Sequence, residues 1–294
     1  MKHYSTADKL VVGFAYVYML VFVIVAIIPF MTIISTSLTN EQYIRANGFD
    51  LFPHDLSLAA YKFVLGRGST ILNAYRVTVI VTVVGTLISM VLTTMMAFAL
   101  SRKEWRMAGP ISFLVYFTML FNGGLVPWYI VTTKYLHLYD QLLALMLPYA
   151  VNAFNLLIMR SFISTVDNGI FEAAKIDGAN DAQLLVRIAL PLILPGLATI
   201  CLFYAISYWN DWWLGLMLVS DRDLYPLQMV IRSITSNISY AASNAANSSI
   251  AAAAIPKEGV KMATTVLTIG PIILLYPFLQ RYFVKGLTLG SVKG

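Results

Sequence analysis

Leu10 to Ile34 is an apolar run of 25 residues without a single charged side chain. About 20 apolar residues carry an α-helix across the hydrocarbon core of a bilayer, because every backbone N–H and C=O must be satisfied inside the segment. Few other features constrain a chain so tightly. Five further segments are of similar kind: Tyr75–Leu100, Ile111–Thr132, Leu142–Met159, Pro195–Val219 and Thr264–Phe283. The pattern predicts an all-α, polytopic membrane protein with six transmembrane helices. Charged residues make up only 12% of the chain, about half the usual globular share of roughly 25%. A soluble fold has too little interior to hide that much apolar surface. The first run is too long for a signal-peptide core and no Ala-x-Ala-like site follows it, so it is expected to remain as an anchor.

The net charge of +6 could point to nucleic acid, but the basic residues sit in short loops. Segments 1–9, 101–109, 160–190 and 281–294 hold 11 Lys and Arg in 63 residues, against 9 in 108 for segments 35–76, 122–141 and 218–263. The positive-inside bias then places both termini in the cytoplasm, with a lipid bilayer and not nucleic acid as the partner. The domain reading is a cytoplasmic N-terminus 1–9, a six-span region 10–283 and a cytoplasmic tail 284–294.

Chemistry of its own is hard to find in the chain. There is no GxxxxGK[ST] phosphate loop and no GxSxG elbow. His3, His54 and His137 lie far apart, with no cysteine or carboxylate at metal-ligand spacing. Asp221 and Asp223 are read as capping a turn. The single cysteine, Cys201, can form no internal disulfide. No catalytic residue and no metal site is expected, and uphill transport would need energy supplied by another protein.

The stretch EAAKIDGANDAQLLVRIALPLILPG, from Glu172 to Gly196, interrupts the apolar pattern on the cytoplasmic side. Glu172 to Ile176 is built of helix formers, Asp177 to Asn180 reads as a turn, and a second helix is expected from Asn180 to a hard stop at Pro191. Asn180 with Gln183 is the spacing of a capping box. Leu184, Leu185, Ile188 and Leu192 form an apolar stripe, to be buried on the protein's own membrane face or in the groove of a soluble partner.

Within the fifth run, Asp211 stands among Trp209, Asn210, Trp212 and Trp213. An ionisable residue at such a place faces a bundle interior or a wet cavity, and aromatic faces beside amides and a carboxylate suit a sugar. The competing reading is an aromatic belt at the outer interface. Asn152 and Asn155 in the fourth run are either interhelical hydrogen-bonding groups or part of the same pathway. The outer segment 220–263, rich in Ser, Asn and Ala, reads as a flexible linker or as a loop reaching for an external partner.

Glu172-Ala173-Ala174, Gly178, and then Ile188-x-Leu190-Pro191 match EAA-x3-G-x9-I-x-LP. That pattern resembles the cytoplasmic loop of permease subunits of ABC importers. Asp177-Gly178-Ala179 is the wording usual in sugar importers. The ending QRYFVKGLTLGSVKG is similar to the tails of carbohydrate-uptake permeases of the MalG type, while FNGGLVPWYIVTTKYLHLYDQLLALMLPY and SYWNDWW resemble the LplC/YtcP branch, which includes permeases for oligosaccharides of complex polysaccharides such as alginate. Where that family usually has a proline and an acidic residue ahead of the loop, this chain has Asp167 and Gly169.

The resemblance implies a type I ABC importer permease fold in the bacterial cytoplasmic membrane, working by alternating access. It implies a second permease subunit, two copies of an ABC ATPase, an extracytoplasmic sugar-binding protein and an oligosaccharide substrate. ATP and magnesium would be held by the ATPase, leaving this chain without a cofactor. The loop 162–191, with Glu172, Ala173, Ala174, Asp177, Gly178, Ala179, Ile188, Leu190 and Pro191, would dock on the ATPase, its small residues allowing close approach. Lys285, Gly286, Gly290 and Lys293 of the tail would touch it as well. An ion-coupled secondary transporter or a membrane enzyme are the rival readings. The first lacks coupling carboxylates beyond Asp211, and the second lacks a catalytic cluster.

Overall fold

The computed structural model describes residues 6–66, 68–102, 104–244 and 258–269, and among them the elements are helices, with one isolated β-bridge between Thr39 and Leu56. The chain divides into two compact units.

The first unit contains α1 (Thr6–Leu38), α2 (Glu41–Asn47) and α3 (Ala59–Leu65). None of the apolar window of α1 is buried among the described residues, and so long an apolar surface suits lipid or another membrane helix, not water. The C-terminal end of α1 is held differently. Ser37 shares a hydrogen bond with Tyr61 at 2.9 Å, and the Thr39 hydroxyl donates to the Ser35 carbonyl. Asn40 caps α2, and the Glu41 carboxylate accepts from the Gly259 N–H at 3.1 Å, at the start of a helix over 258–269.

The second unit is built around α4 (Gly68–Ser101), a 34-residue helix with no proline. Around it lie α5 (Ala108–Leu120), α6 (Leu125–Ile130), α7 (Ala153–Ser164), α8 (Asn168–Ile176), α9 (Asp181–Gln183), α10 (Leu190–Leu192), α11 (Leu194–Trp209) and α12 (Trp213–Leu218). Close packing is set by glycines. A Cβ on Gly85 would lie 2.9 Å from the Tyr208 ring, and one on Gly196 would lie 2.5 Å from the Phe162 ring. Another helix, α13, runs from Leu227 to Asn244, its first residues in this unit and the rest in the other.

Two expected spans are single helices, within α1 and α4. Three others are broken. The third run bends by 118° between α5 and the helix beginning at Leu125, the fourth by 54° before α7, and the helix ending at Leu192 turns by 88° into α11. The first bend lies at Asn122-Gly123-Gly124, where Gly124 has φ +90° and the Asn122 side chain accepts its N–H. That 88° turn precedes the fifth run, whose own break is at Asn210–Trp212. Most of the sixth run and the whole tail lie outside the described residues.

Two expectations are corrected. Pro191 does not stop its helix. Residues Leu184–Ala189 form a π-helical turn in which the Leu190 N–H reaches back to Leu185, and the helix passes through Pro191 to Leu192. A π turn shifts the hydrogen-bond register by one residue, which accommodates a proline that has no N–H to give. The break falls two residues later, at Ile193. The segment 220–263 is likewise not a linker throughout, because α13 occupies 227–244 and buries Leu227, Val230 and Ile234, while 245–257 lies outside the described residues.

Candidate functional site

The loop between α7 and α11 is a helix–turn–helix. Asp167 caps α8 by accepting the Gly169 N–H at 3.0 Å, so the two positions where the family pattern fails to match perform the capping locally. At the far end the Ala179 N–H reaches the Ala174 carbonyl (2.9 Å) and the Gly178 N–H reaches Lys175 (3.0 Å). These are the two bonds of a Schellman motif, with Gly178 at the left-handed position, φ +86°. Nothing lies within 4 Å of a Cβ built at Gly178. Within this chain the glycine is therefore required by the backbone, and the space beside it is left open to a partner. Asn180 then opens α9 with the expected capping box, its side chain accepting from Gln183 N–H (2.9 Å) while the Gln183 side chain accepts from Asn180 N–H (3.0 Å).

Glu172, Ala173, Asp177, Gly178 and Pro191 are exposed; Ala174, Ala179, Ile188 and Leu190 are half-buried. Ile176, at the tip, is 87% exposed. The apolar stripe of the second helix is divided. Leu184 is fully buried in the protein's own core, Leu185 and Ile188 pack against it, and Leu192 stays exposed. Exposed apolar side chains of the loop are thus Ile170, Ile176, Val186 and Leu192, and beside the end of α8 the residues Asp177, Gly178, Ala179, Gln183, Arg187 and Ile188 line a small cleft of about 290 Å³. Behind α8, Lys175 pairs with Glu104, and that pairing holds the exposed Glu104 carboxyl below the usual range, with the Lys175 hydrogen bond the main cause.

A second site lies at the break in the fifth run. The Asp211 carboxylate accepts the Leu214 N–H at 3.1 Å and so caps α12, while the Tyr149 hydroxyl donates to its other oxygen at 3.1 Å. Asp211 is 9% exposed. It borders a cavity of about 510 Å³ whose walls include Tyr149, Asn152, Asn155, Asn210, Trp212 and Trp213. Asn152 caps α7 by accepting the Asn155 N–H. The structure therefore gathers Asn152, Asn155, Asn210, Asp211 and Trp212 around one space. Trp209 is buried and is not among its walls. At the rim, Gln228 of α13 donates to Asn210, and the Arg232 guanidinium stacks over Trp212 at 3.8 Å.

Below the cavity, two tyrosines of α11 tie it to α4. The Tyr208 hydroxyl donates to the Met146 carbonyl (2.8 Å), so Ser89 is the donor in their 2.9 Å bond. The Tyr204 hydroxyl bonds Thr93 (2.6 Å) and accepts the Asn152 N–H (3.1 Å). Sequence reasoning missed this layer. Its signal is the hydroxyl series Thr78, Thr82, Thr86, Ser89 and Thr93, spaced along one face of a span.

The profile of a family described as binding-protein-dependent transport system inner membrane component matches residues 1–289. The polygalacturonan/rhamnogalacturonan transport system permease protein YtcP of Bacillus subtilis is 39% identical over 98% of this chain and 98% of its own. Protein LplC of the same organism is 40% identical over 92% of this chain and 90% of its own. A chain in the crystal structure of a bacterial ABC transporter involved in the import of the acidic polysaccharide alginate superposes with a TM-score of 0.81, at 30% identity, covering 96% of this chain and all of that one. With its apolar spans, its helix–turn–helix loop and its polar membrane cavity, the chain belongs to the family of inner membrane components of binding-protein-dependent transport systems.

Proposed function

We propose that the chain is one of two permease subunits lining the path of an ATP-driven importer for oligosaccharides derived from complex polysaccharides. The observation that carries this reading is the cavity at the helix break, where amides, a carboxylate and tryptophan faces meet inside a membrane segment. Sugar hydroxyls need such hydrogen-bonding groups, and the apolar faces of sugar rings need an aromatic platform. The names of the relatives, which handle polygalacturonan, rhamnogalacturonan and alginate, support the substrate class.

In this reading the termini and the 162–191 loop are cytoplasmic, with 1–9 and 284–294 flanking the membrane domain. The exposed end of α8, with Glu172, Ala173, Gly178 and Ile176, docks on one of two ATPase subunits, and those subunits hold ATP and magnesium. The tail residues Lys285, Gly286, Gly290 and Lys293 add a second contact with them. An extracytoplasmic binding protein delivers sugar from the other side, and the two permease subunits expose the cavity alternately to the two sides.

Uptake by the reconstituted complex of both permeases, ATPase and binding protein tests the proposal, using labelled trigalacturonate and a neutral trisaccharide as probes. ATP-dependent uptake of at least one, abolished by Asp211→Leu, is the expected result. A complex that hydrolyses ATP but moves neither probe would sink it.

A further inference from the structure

The loop that follows α4 makes an attachment to α8 that is separate from both covalent routes, the one through Asp167 and the one through Pro191. Phe171 of α8 is 4% exposed and meets Phe98 of α4 edge-on, with ring centres 6.1 Å apart. The Arg102 guanidinium lies over both rings, 5.5 Å from Phe98 and 5.0 Å from Phe171, and its side chain is only 14% exposed. Arg102 also approaches Glu104 at 3.7 Å, and Glu104 is paired in turn with Lys175 of α8. Cation, two rings, anion and second cation thus form one continuous series between the end of α4 and the coupling helix.

We infer that Arg102, Glu104 and Lys175 are positioning residues forming a strut that makes α4, and not only α11, follow the movement of the coupling helix. This rests on the proposed docking of α8 on the ATPase. The mechanics start from the covalent joints. Along the chain α8 joins α7 at Asp167 and, at its other end, reaches α11 through the 88° bend at Ile193, a residue with non-helical φ and ψ of −104° and 19°. Neither covalent route runs through α4, and such joints can absorb a swing of α8. The attachment at Phe98 and Arg102 adds α4 to what must follow. The strut grips α4 at Phe98, nine positions beyond Ser89, or about 14 Å along a continuous helix. Ser89 and Thr93 hold the hydroxyls of Tyr208 and Tyr204, and Tyr204 reaches the cavity wall at Asn152. Displacement of α8 therefore arrives beneath the cavity through α4 as well as through α11.

The test needs no knowledge of the sugar. In the full complex, Ser207→Cys is introduced at the cavity wall in a Cys201→Ser background, and its labelling by a water-soluble maleimide is timed with and without ATP and vanadate. With the strut intact, nucleotide should change the labelling rate by about fivefold or more; Glu104→Lys alone or Lys175→Glu alone should reduce that change to below about twofold, with the ATPase still co-purifying in full ratio. Lys175→Arg, which keeps a cation opposite Glu104 and leaves Arg102 undisturbed, should retain it, a distinction that a general structural defect would not show. Charge-reversed variants that keep the full nucleotide response, or a Lys175→Arg variant that loses it, would overturn the strut. A cavity that answers to nucleotide and loses that answer only on charge reversal, in a complex that moves no oligosaccharide, would uphold the strut and count against the sugar reading.

Discussion

Helix continuity is broken in two places that matter, and they follow different rules. At Asp177–Gly178 the break lies in a polar loop, where water can satisfy whatever the backbone leaves open, and a single left-handed glycine closes the helix. At Asn210–Trp212 the break lies inside an apolar run, where each freed backbone group needs a partner from the protein. Asp211 supplies one by taking the Leu214 N–H, and Tyr149 supplies the carboxylate with a proton donor in return. An open break leaves a surface free for another protein. A break whose ends are mutually satisfied leaves a fixed polar cavity.

If that contrast holds, substitutions at the inner break should cost more than those at the outer one. Asp211→Leu strips both the Leu214 N–H and the Tyr149 hydroxyl of their acceptor, and unsatisfied buried donors cost about 1–3 kcal/mol each. Thermal unfolding of the purified chain in detergent should show a fall of about 3 kcal/mol, with transport abolished. Asp211→Asn keeps an acceptor and should lose far less. Equal unfolding for the two variants would remove the special standing of the inner break.

Gly178→Val forces a β-branched residue into the left-handed region at a cost of about 1–2 kcal/mol. Transport should fall with it, whereas Gly178→Asn should retain most function because asparagine tolerates that conformation. If the valine variant transported normally, the Schellman turn would be irrelevant to coupling. Asn180→Ala removes one half of the capping box and should lower stability by about 1 kcal/mol, seen as faster proteolysis within 172–190. The smallest effect concerns Glu104. Its carboxyl titrates below its unfolded value, so its contribution is present above the usual glutamate range and fades as pH falls through the folded value. A pH titration of Glu104→Gln against the parent should show the two converging in acid and separating only slightly at neutral pH.

The outer break was legible because its signals are local. Asn180 and Gln183 are three residues apart, and Gly178 follows a run of helix formers. The inner break was half legible. Asp211 was conspicuous by its charge, but no glycine or proline stands at 209–213 to announce a broken helix. Its hydroxyl partner, Tyr149, is 62 positions away, beyond the reach of periodicity. For the same reason Trp209 was grouped with its neighbours, although the turn after it sends Trp212 and Trp213 to the cavity instead. Pro191 misled because proline forbids one hydrogen bond and not a helix, and the π turn before it supplied another register. The strut, finally, joins residues about 70 positions apart, and nothing in either short segment names the other.

The first helix carries a consequence of a different order. Its uninterrupted apolar run of 25 residues spans about 37 Å at 1.5 Å per residue, against roughly 30 Å of hydrocarbon. None of its apolar window is buried among the described residues, which leaves that surface to lipid or to a partner subunit, and Pro29 offers a place to bend. Such a helix relieves the excess by leaning, by kinking or by gathering thicker lipid around itself. Bilayer thickness thereby becomes a variable in the working of the transporter, one that short-chain and long-chain phospholipids would set differently even with every polar contact unchanged.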